Sequence, residues 1–205
     1  DGDANDVLAN ATSIALTGAA IDVDDYNTVS TAAGDDVDPT VAALEDTESA
    51  LKAANAETAV NKSSAITVSD GAISIASYNT IKGYSPGGTF TFSLEDSGSN
   101  LTSDDHNTVN GLAAATAVTI DSSGLTVAQY DLINTDIETG DNSIAIVTYK
   151  LVDSYSAIAA DITEELSDAD DADSGTESSA INNASEVVIS SSGTLTVAEY
   201  KVISD

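Results

Sequence analysis

The sequence predicts an α/β repeat protein, a solenoid of about seven strand–turn–helix coils of ~26 residues each, leucine-rich-repeat-like in its grammar. Three observations lead there. A tyrosine-marked motif recurs four times, a looser motif falls between its copies, and the first joins a period-two apolar stretch to a helix-capping residue.

The tyrosine-marked units lie at residues 13–29 (SIALTGAAIDVDDYNTV), 65–81 (AITVSDGAISIASYNTI), 117–133 (AVTIDSSGLTVAQYDLI) and 186–203 (EVVISSSGTLTVAEYKVI). Their tyrosines are Tyr26, Tyr78, Tyr130 and Tyr200, spaced by 52, 52 and 70 residues. The intervening half-repeats occupy 40–60, 89–112 and 144–183, and share Leu-x-Asp at Leu44/Asp46, Leu94/Asp96 and Leu151/Asp153. DHNTV at 105–109 copies DYNTV at 25–29, which links the two halves and makes residues 1–205 a single repeat array.

Each element follows from local chemistry. Ile66-x-Val68, Val118-x-Ile120 and Phe90-x-Phe92-x-Leu94 alternate with polar residues, the period of a half-buried strand. Gly18, Gly71, Gly124 and Gly193 mark a turn after each strand. The next segment is read as a helix. Asp22, Ser74, Thr126 and Thr196 are N-cap residues, and Gln129 and Glu199 complete capping boxes three positions later. The residue before each cap (Ile21, Ile73, Leu125, Leu195) and the tyrosine five positions on form a hydrophobic staple. A returning strand would suit SDGA at 69–72, so the alternative architecture is a pair of tandem all-β sandwiches. The Ala-rich stretches 53–59 and 112–117 suit closely packed helices.

Composition bounds function. Net charge is −30, from 35 Asp and Glu against 5 Lys, with no Arg, Cys, Met or Trp. Nucleic acid needs clustered basic residues, and anionic lipid attracts basic segments, so neither is expected as a partner. No apolar run approaches the ~20 residues of a membrane span. Mean hydropathy of −0.01 and 41% hydrophobic residues imply a folded chain with an acidic surface. The chain opens inside a repeat, lacks an initiating Met and shows no polar capping coil, so a segment of a longer array, or end-to-end stacking, is expected.

Chemistry centres on carboxylates. His106 stands in a tyrosine staple position and is expected to pack, and no serine sits in a triad-like setting, so no enzyme activity is expected. Asp46, Asp70, Asp96, Asp121 and Asp153 fall one or two residues after the last strand position, and stacking would align them at about 4.8 Å. Such a row must be neutralised. Either each Asp accepts backbone amides of its own turn, as an Asx ladder, or Ca²⁺ bridges adjacent coils. The insertion 164–177 (EELSDADDADSGTE) holds seven carboxylates, of which Asp168, Asp170, Asp171 and Asp173 alternate like calcium ligands. A solvated acidic loop is the other reading of that stretch. Asn-x-Ser/Thr triplets at Asn10, Asn61, Asn100 and Asn183 carry little specificity in so Ser- and Thr-rich a chain.

The alternation of SLEDSGSNL and KLVDSYSAI turns with LTVAQYDLI and LTVAEYKVI helices resembles repeats of giant acidic secreted, adhesin-like surface proteins of cyanobacteria and other aquatic bacteria. The resemblance implies an extracellular structural or adhesive role, and it transfers no catalytic residue. The expected function is a rigid spacer or filament segment at the cell surface, calcium-stabilised and stacking on copies of itself or neighbouring repeats. The alternative is a glycan- or protein-binding adhesin module, for which Tyr84, Tyr149 and Tyr155 are the aromatic candidates.

Overall fold

A computed structural model describes residues 8, 10–34, 37–103, 111–139, 149–168, 180–181 and 184–190. The chain divides into two compact units, residues 1–93 and 94–205. His106, Asp170, Asp171, Asp173 and the fourth unit beyond Ser190 lie outside the described residues.

The first unit runs β1 (Ala15–Leu16), α1 (Val23–Ala33), β2 (Thr40–Val41), β3 (Leu44–Asp46), α2 (Glu48–Leu51), a 3₁₀ turn (Ala54–Ala56), α3 (Glu57–Asn61), β4 (Ala65–Ile73), α4 (Ile75–Gly83) and the start of β5 (Thr89–Asp96). After β5 the second unit continues with α5 (Gly98–Leu101), α6 (Gly111–Ala114), β6 (Val118–Ile120), α7 (Val127–Thr139), β7 (Tyr149–Asp153), α8 (Tyr155–Asp168) and β8 (Ala184–Ile189). Ladders β1–β2, β3–β4, β5–β6 and β7–β8 are parallel, and one four-stranded sheet has the order β3–β4–β5–β6. The bridges Ile21–Leu44, Val41–Ser63 and Leu125–Leu151 are parallel as well. Since β2 and β3 are one stretch broken only at Ala42–Ala43, the eight strands among the described residues make seven passes. Parallel pairing with helical crossovers sets the all-β sandwich alternative aside.

Strand positions follow the alternation read from sequence. Ile66, Phe92, Leu94, Val118 and Ile120 are buried, whereas Thr67, Thr91 and Glu95 between them are exposed. One expectation fails. Gly71 does not interrupt its strand, because β4 continues through it to Ile73 with Gly71 at φ +117°. Glycine has no Cβ to oppose that backbone angle, so extension persists up to the helix cap.

Helices begin where caps place them. Asp22 accepts the Asp25 amide at 2.7 Å, Ser74 accepts that of Ser77 at 3.2 Å, and Thr126 accepts that of Gln129 at 3.2 Å. Gln129 Oε1 returns the bond to the Thr126 amide at 3.0 Å, a complete capping box. The same device opens the half-repeats, where Thr47, Ser97 and Ser154 accept the amides of Ala50, Asn100 and Ala157. The staple residues Ile73, Tyr78, Leu125 and Tyr130 are buried, as is Tyr26. Tyr78 meets Phe92 at 4.7 Å and Tyr130 meets Tyr149 at 5.3 Å between ring centroids. Each such buried side chain contributes about 1.5–3 kcal/mol.

Successive passes approach closely at two glycines that the repeat analysis passed over. A Cβ on Gly88 would lie 1.9 Å from the Ser64 carbonyl oxygen, and one on Gly87 would lie 2.2 Å from that of Asn61. The segment is further tied by the Asn61 side-chain amide donating to Ser85 O and the Tyr84 hydroxyl donating to Lys52 O. The acidic insertion also differs from expectation. Its first residues, Glu164 to Asp168, continue α8 and are not loop.

Candidate functional site

The aspartates at the strand ends form the most regular polar feature of the protein. Asp46 lies at the end of β3, next to the Thr47 cap. Its Oδ1 accepts the Thr47 amide at 2.7 Å, and its Oδ2 accepts the Val23 amide at 3.0 Å. Val23 opens α1, in the preceding pass. Asp153 repeats the arrangement, with Oδ1 on the Ser154 amide at 2.6 Å and Oδ2 on the Val127 amide, first in α7, at 3.0 Å. Asp70, inside β4, accepts the Glu48 amide, first in α2, at 2.8 Å.

The chemistry explains the repetition. The first turn of a helix leaves backbone N–H groups without intrahelical partners. The cap residue satisfies the amide three positions on and cannot reach the first one. A carboxylate from the following pass, 22 to 26 residues later in sequence, takes that first amide instead. Negative charge there also opposes the positive end of the helix dipole. One side chain therefore closes a helix end and ties two passes together, through hydrogen bonds of the charge-assisted, stronger kind.

Asp96 and Asp121 vary the theme. Asp96 Oδ1 accepts the Ser97 amide at 2.8 Å and the Asn100 side-chain amide at 2.6 Å. Asp121 Oδ1 accepts the Ser123 amide at 2.8 Å and the Ser123 hydroxyl, a bond confined to its own turn. Of the nine aspartates expected as metal ligands, five thus serve backbone amides. Asp168 ends α8, and Asp170, Asp171 and Asp173 lie outside the described residues. Among the described residues, no group of three or more His, Asp or Glu converges as a metal site would require.

Lysines add a second, weaker set of ties. Lys62 pairs with Asp38 at 3.1 Å and Lys150 with Glu186 at 3.4 Å, each joining neighbouring passes. Lys52 pairs with Glu48 at 3.4 Å and donates to Ser77 Oγ at 3.3 Å, while the Ser77 hydroxyl donates to Glu48. Exposed pairs of this kind are each worth about 0–1 kcal/mol.

The aromatic candidates do not form a platform. Tyr149 is buried, with its hydroxyl donating to Ala180 O. Burial first, then the neighbouring Tyr130 and the charge of Asp161, push its phenol well above the usual range. Tyr84 is half-buried with its hydroxyl on Lys52 O, and Tyr155 is half-buried at the start of α8. Tyr26 is buried, and among the described residues its hydroxyl finds no partner within hydrogen-bonding geometry. Burial, then the charge of Asp38, raise its pKa, and the nearby Ser30 hydroxyl offsets this only in part without reaching bonding geometry.

No family model, curated protein or solved structure matches this chain. Among the described residues no helix is long and apolar enough to cross a membrane.

Proposed function

We propose that this chain is a structural repeat segment of an extracellular surface or filament protein, its parallel passes being the coils of a solenoid that acts as a rigid spacer. One observation carries the reading. The same contact, an aspartate carboxylate on the first helical amide of the preceding coil, recurs at three coil boundaries with nearly constant sequence offset. Coils linked at the sheet, at the buried face and at the helix ends resist bending as well as separation. An acidic surface of net charge −30 suits a chain that stays soluble in salty surroundings and does not cling to anionic cells. The resemblance to giant acidic surface proteins points the same way. Calcium belongs to this reading at the 168–173 stretch, since both carboxylate oxygens of Asp46 and of Asp153 already accept amides.

A far-UV circular dichroism melt, run in millimolar Ca²⁺ and again in chelator, tests the proposal. A mixed α/β spectrum with one steep transition supports a continuous stack, and a rise of several degrees with Ca²⁺ adds cation bridging to it. A spectrum of pure β type, or a broad transition with no cooperative loss, would sink the solenoid.

A further inference from the structure

Two phenols are buried against each other in the second unit, and we propose that Tyr130 and Tyr149 are a cross-linking site, which a one-electron oxidant couples into dityrosine. Their ring centroids lie 5.3 Å apart with the planes 31° from parallel, and each residue is 2% exposed. That separation falls in the nearer part of the roughly 4.5–7 Å range of rings in contact. The hydroxyl ends meet as well. The Tyr149 hydroxyl donates to Ala180 O, and a hydrogen bond with Tyr130 is among the causes that raise its phenol. The ring carbons beside the hydroxyl groups, where phenoxyl radicals couple, are therefore neighbours.

Composition directs oxidation to tyrosine. The chain has no Cys, Met or Trp and a single His, so the side chains that ordinarily lose electrons first are missing. Losing an electron needs no contact with the oxidant, because electrons pass through packed protein. Coupling does need two rings in contact. Burial thus permits the first step and leaves each radical the other as its partner.

The step balances as follows. Each phenol gives one electron to the oxidant and its hydroxyl proton to a base. The two radicals form one carbon–carbon bond between positions next to the hydroxyl groups. Each joined carbon then passes its hydrogen to its own ring oxygen, which restores both phenols. Two electrons and two protons leave in all. Asp161, itself buried, and Asp131 are the carboxylates whose charge bears on Tyr149, and they are the bases at hand. The product ties α7 to the first residue of β7, nineteen positions on, at the boundary that Asp153 already bridges through Val127. In a chain without cysteine, it is a covalent bond between neighbouring passes.

Photogenerated tris(bipyridyl)ruthenium(III), a cation drawn to an acidic protein, is the oxidant for the test, with persulfate as terminal electron acceptor. In dilute folded chain we expect a monomer lighter by two hydrogen atoms, blue dityrosine fluorescence, and one cross-linked peptide pair that carries Tyr130 and Tyr149. Closing a loop of this length should raise Tm by about 5–10 °C. Tyr130→Phe keeps the packed ring and should lose this product, while Tyr84→Phe should retain it. The chain unfolded in urea should give scattered couplings in place of one. Folded chain that yields no such monomer, that couples chiefly at Tyr84 or Tyr155, or that gives the pair no more often than in urea would overturn the proposal. The site needs only the packing of α7 against β7, so its failure leaves the spacer reading standing.

Discussion

Replacing Asp46 with Ala removes two acceptors at once. The Thr47 amide at 2.7 Å and the Val23 amide at 3.0 Å both lose their partner, at a half-buried site where water replaces them imperfectly. Hydrogen bonds to a charged group contribute about 1.5–3 kcal/mol each when shielded, and partial solvation argues for the lower end, so Asp46→Ala should cost about 2–3 kcal/mol. For a chain of this length that lowers Tm by about 5–10 °C. Asp46→Asn keeps one side-chain oxygen and should lose about half as much. Loss of one negative charge from an acidic protein is itself mildly stabilising, and Glu45→Gln, exposed on the same strand, measures that term alone. Thermal melts of the three variants by circular dichroism decide the matter. If Asp46→Ala melts within a degree of Glu45→Gln, the carboxylate ties nothing and the ladder is ornamental.

Four further expectations follow from the same geometry. Val127→Pro removes the amide that Asp153 accepts, at a first helical position where proline is otherwise favoured; a double-mutant cycle with Asp153→Asn should show a coupling of about 1 kcal/mol, and additive losses would refute the bond. Gly88→Ala drives a Cβ against Ser64 O and should cost about 3 kcal/mol or more by denaturant unfolding, whereas Gly83→Ala, with nothing within 4 Å, should be neutral or stabilise by about 0.5–1 kcal/mol. Because the folded state holds Tyr149 neutral with a raised pKa, its stabilising effect is complete below the unfolded phenol value of about 10 and is lost as pH rises beyond it. In an alkaline titration Tyr149 and Tyr26 should therefore ionise together with the loss of helical signal, and phenolate absorbance complete for all seven tyrosines before unfolding would contradict this. Chelator should lower the melting temperature of the Asp170→Asn/Asp173→Asn chain less than that of the parent; equal sensitivity removes the calcium role of that stretch.

Much of this molecule was legible because its signals are local. Alternation at Ile66–Val68 and Val118–Ile120, and the caps at Asp22, Ser74 and Thr126, depend on residues within one turn or strand of each other, and the structure has them as read. The aspartates were recognised as a row with two resolutions, and the described ones took the amide-bonded form. What sequence spacing could not supply was the partner. The amide-bonded resolution had each serve its own turn, yet Asp46, Asp70 and Asp153 also reach, or reach instead, an amide 22 to 26 residues earlier. That choice depends on the register between neighbouring passes, which no single pass encodes. Gly87 and Gly88 were missed for the same reason, since their constraint is the backbone of another pass. Tyr149 was left as an aromatic candidate because it stands outside the four-tyrosine motif, and its burial comes from Tyr130 and from the Ala180 carbonyl, which no local pattern marks.

The reach of Asp46, Asp70 and Asp153 toward an earlier helix has a bearing on synthesis. A ribosome delivers the chain from its N-terminus, so each of these helices appears before the carboxylate that completes it. The newest pass is then the least settled, and order advances one pass behind emergence. Contacts spanning only 22 to 26 residues need no distant segment, which favours fast, stepwise folding over a wait for the whole polypeptide. Hydrogen exchange on chains stopped before and after Asp46 would expose this lag, with the Val23 amide protected only in the longer one.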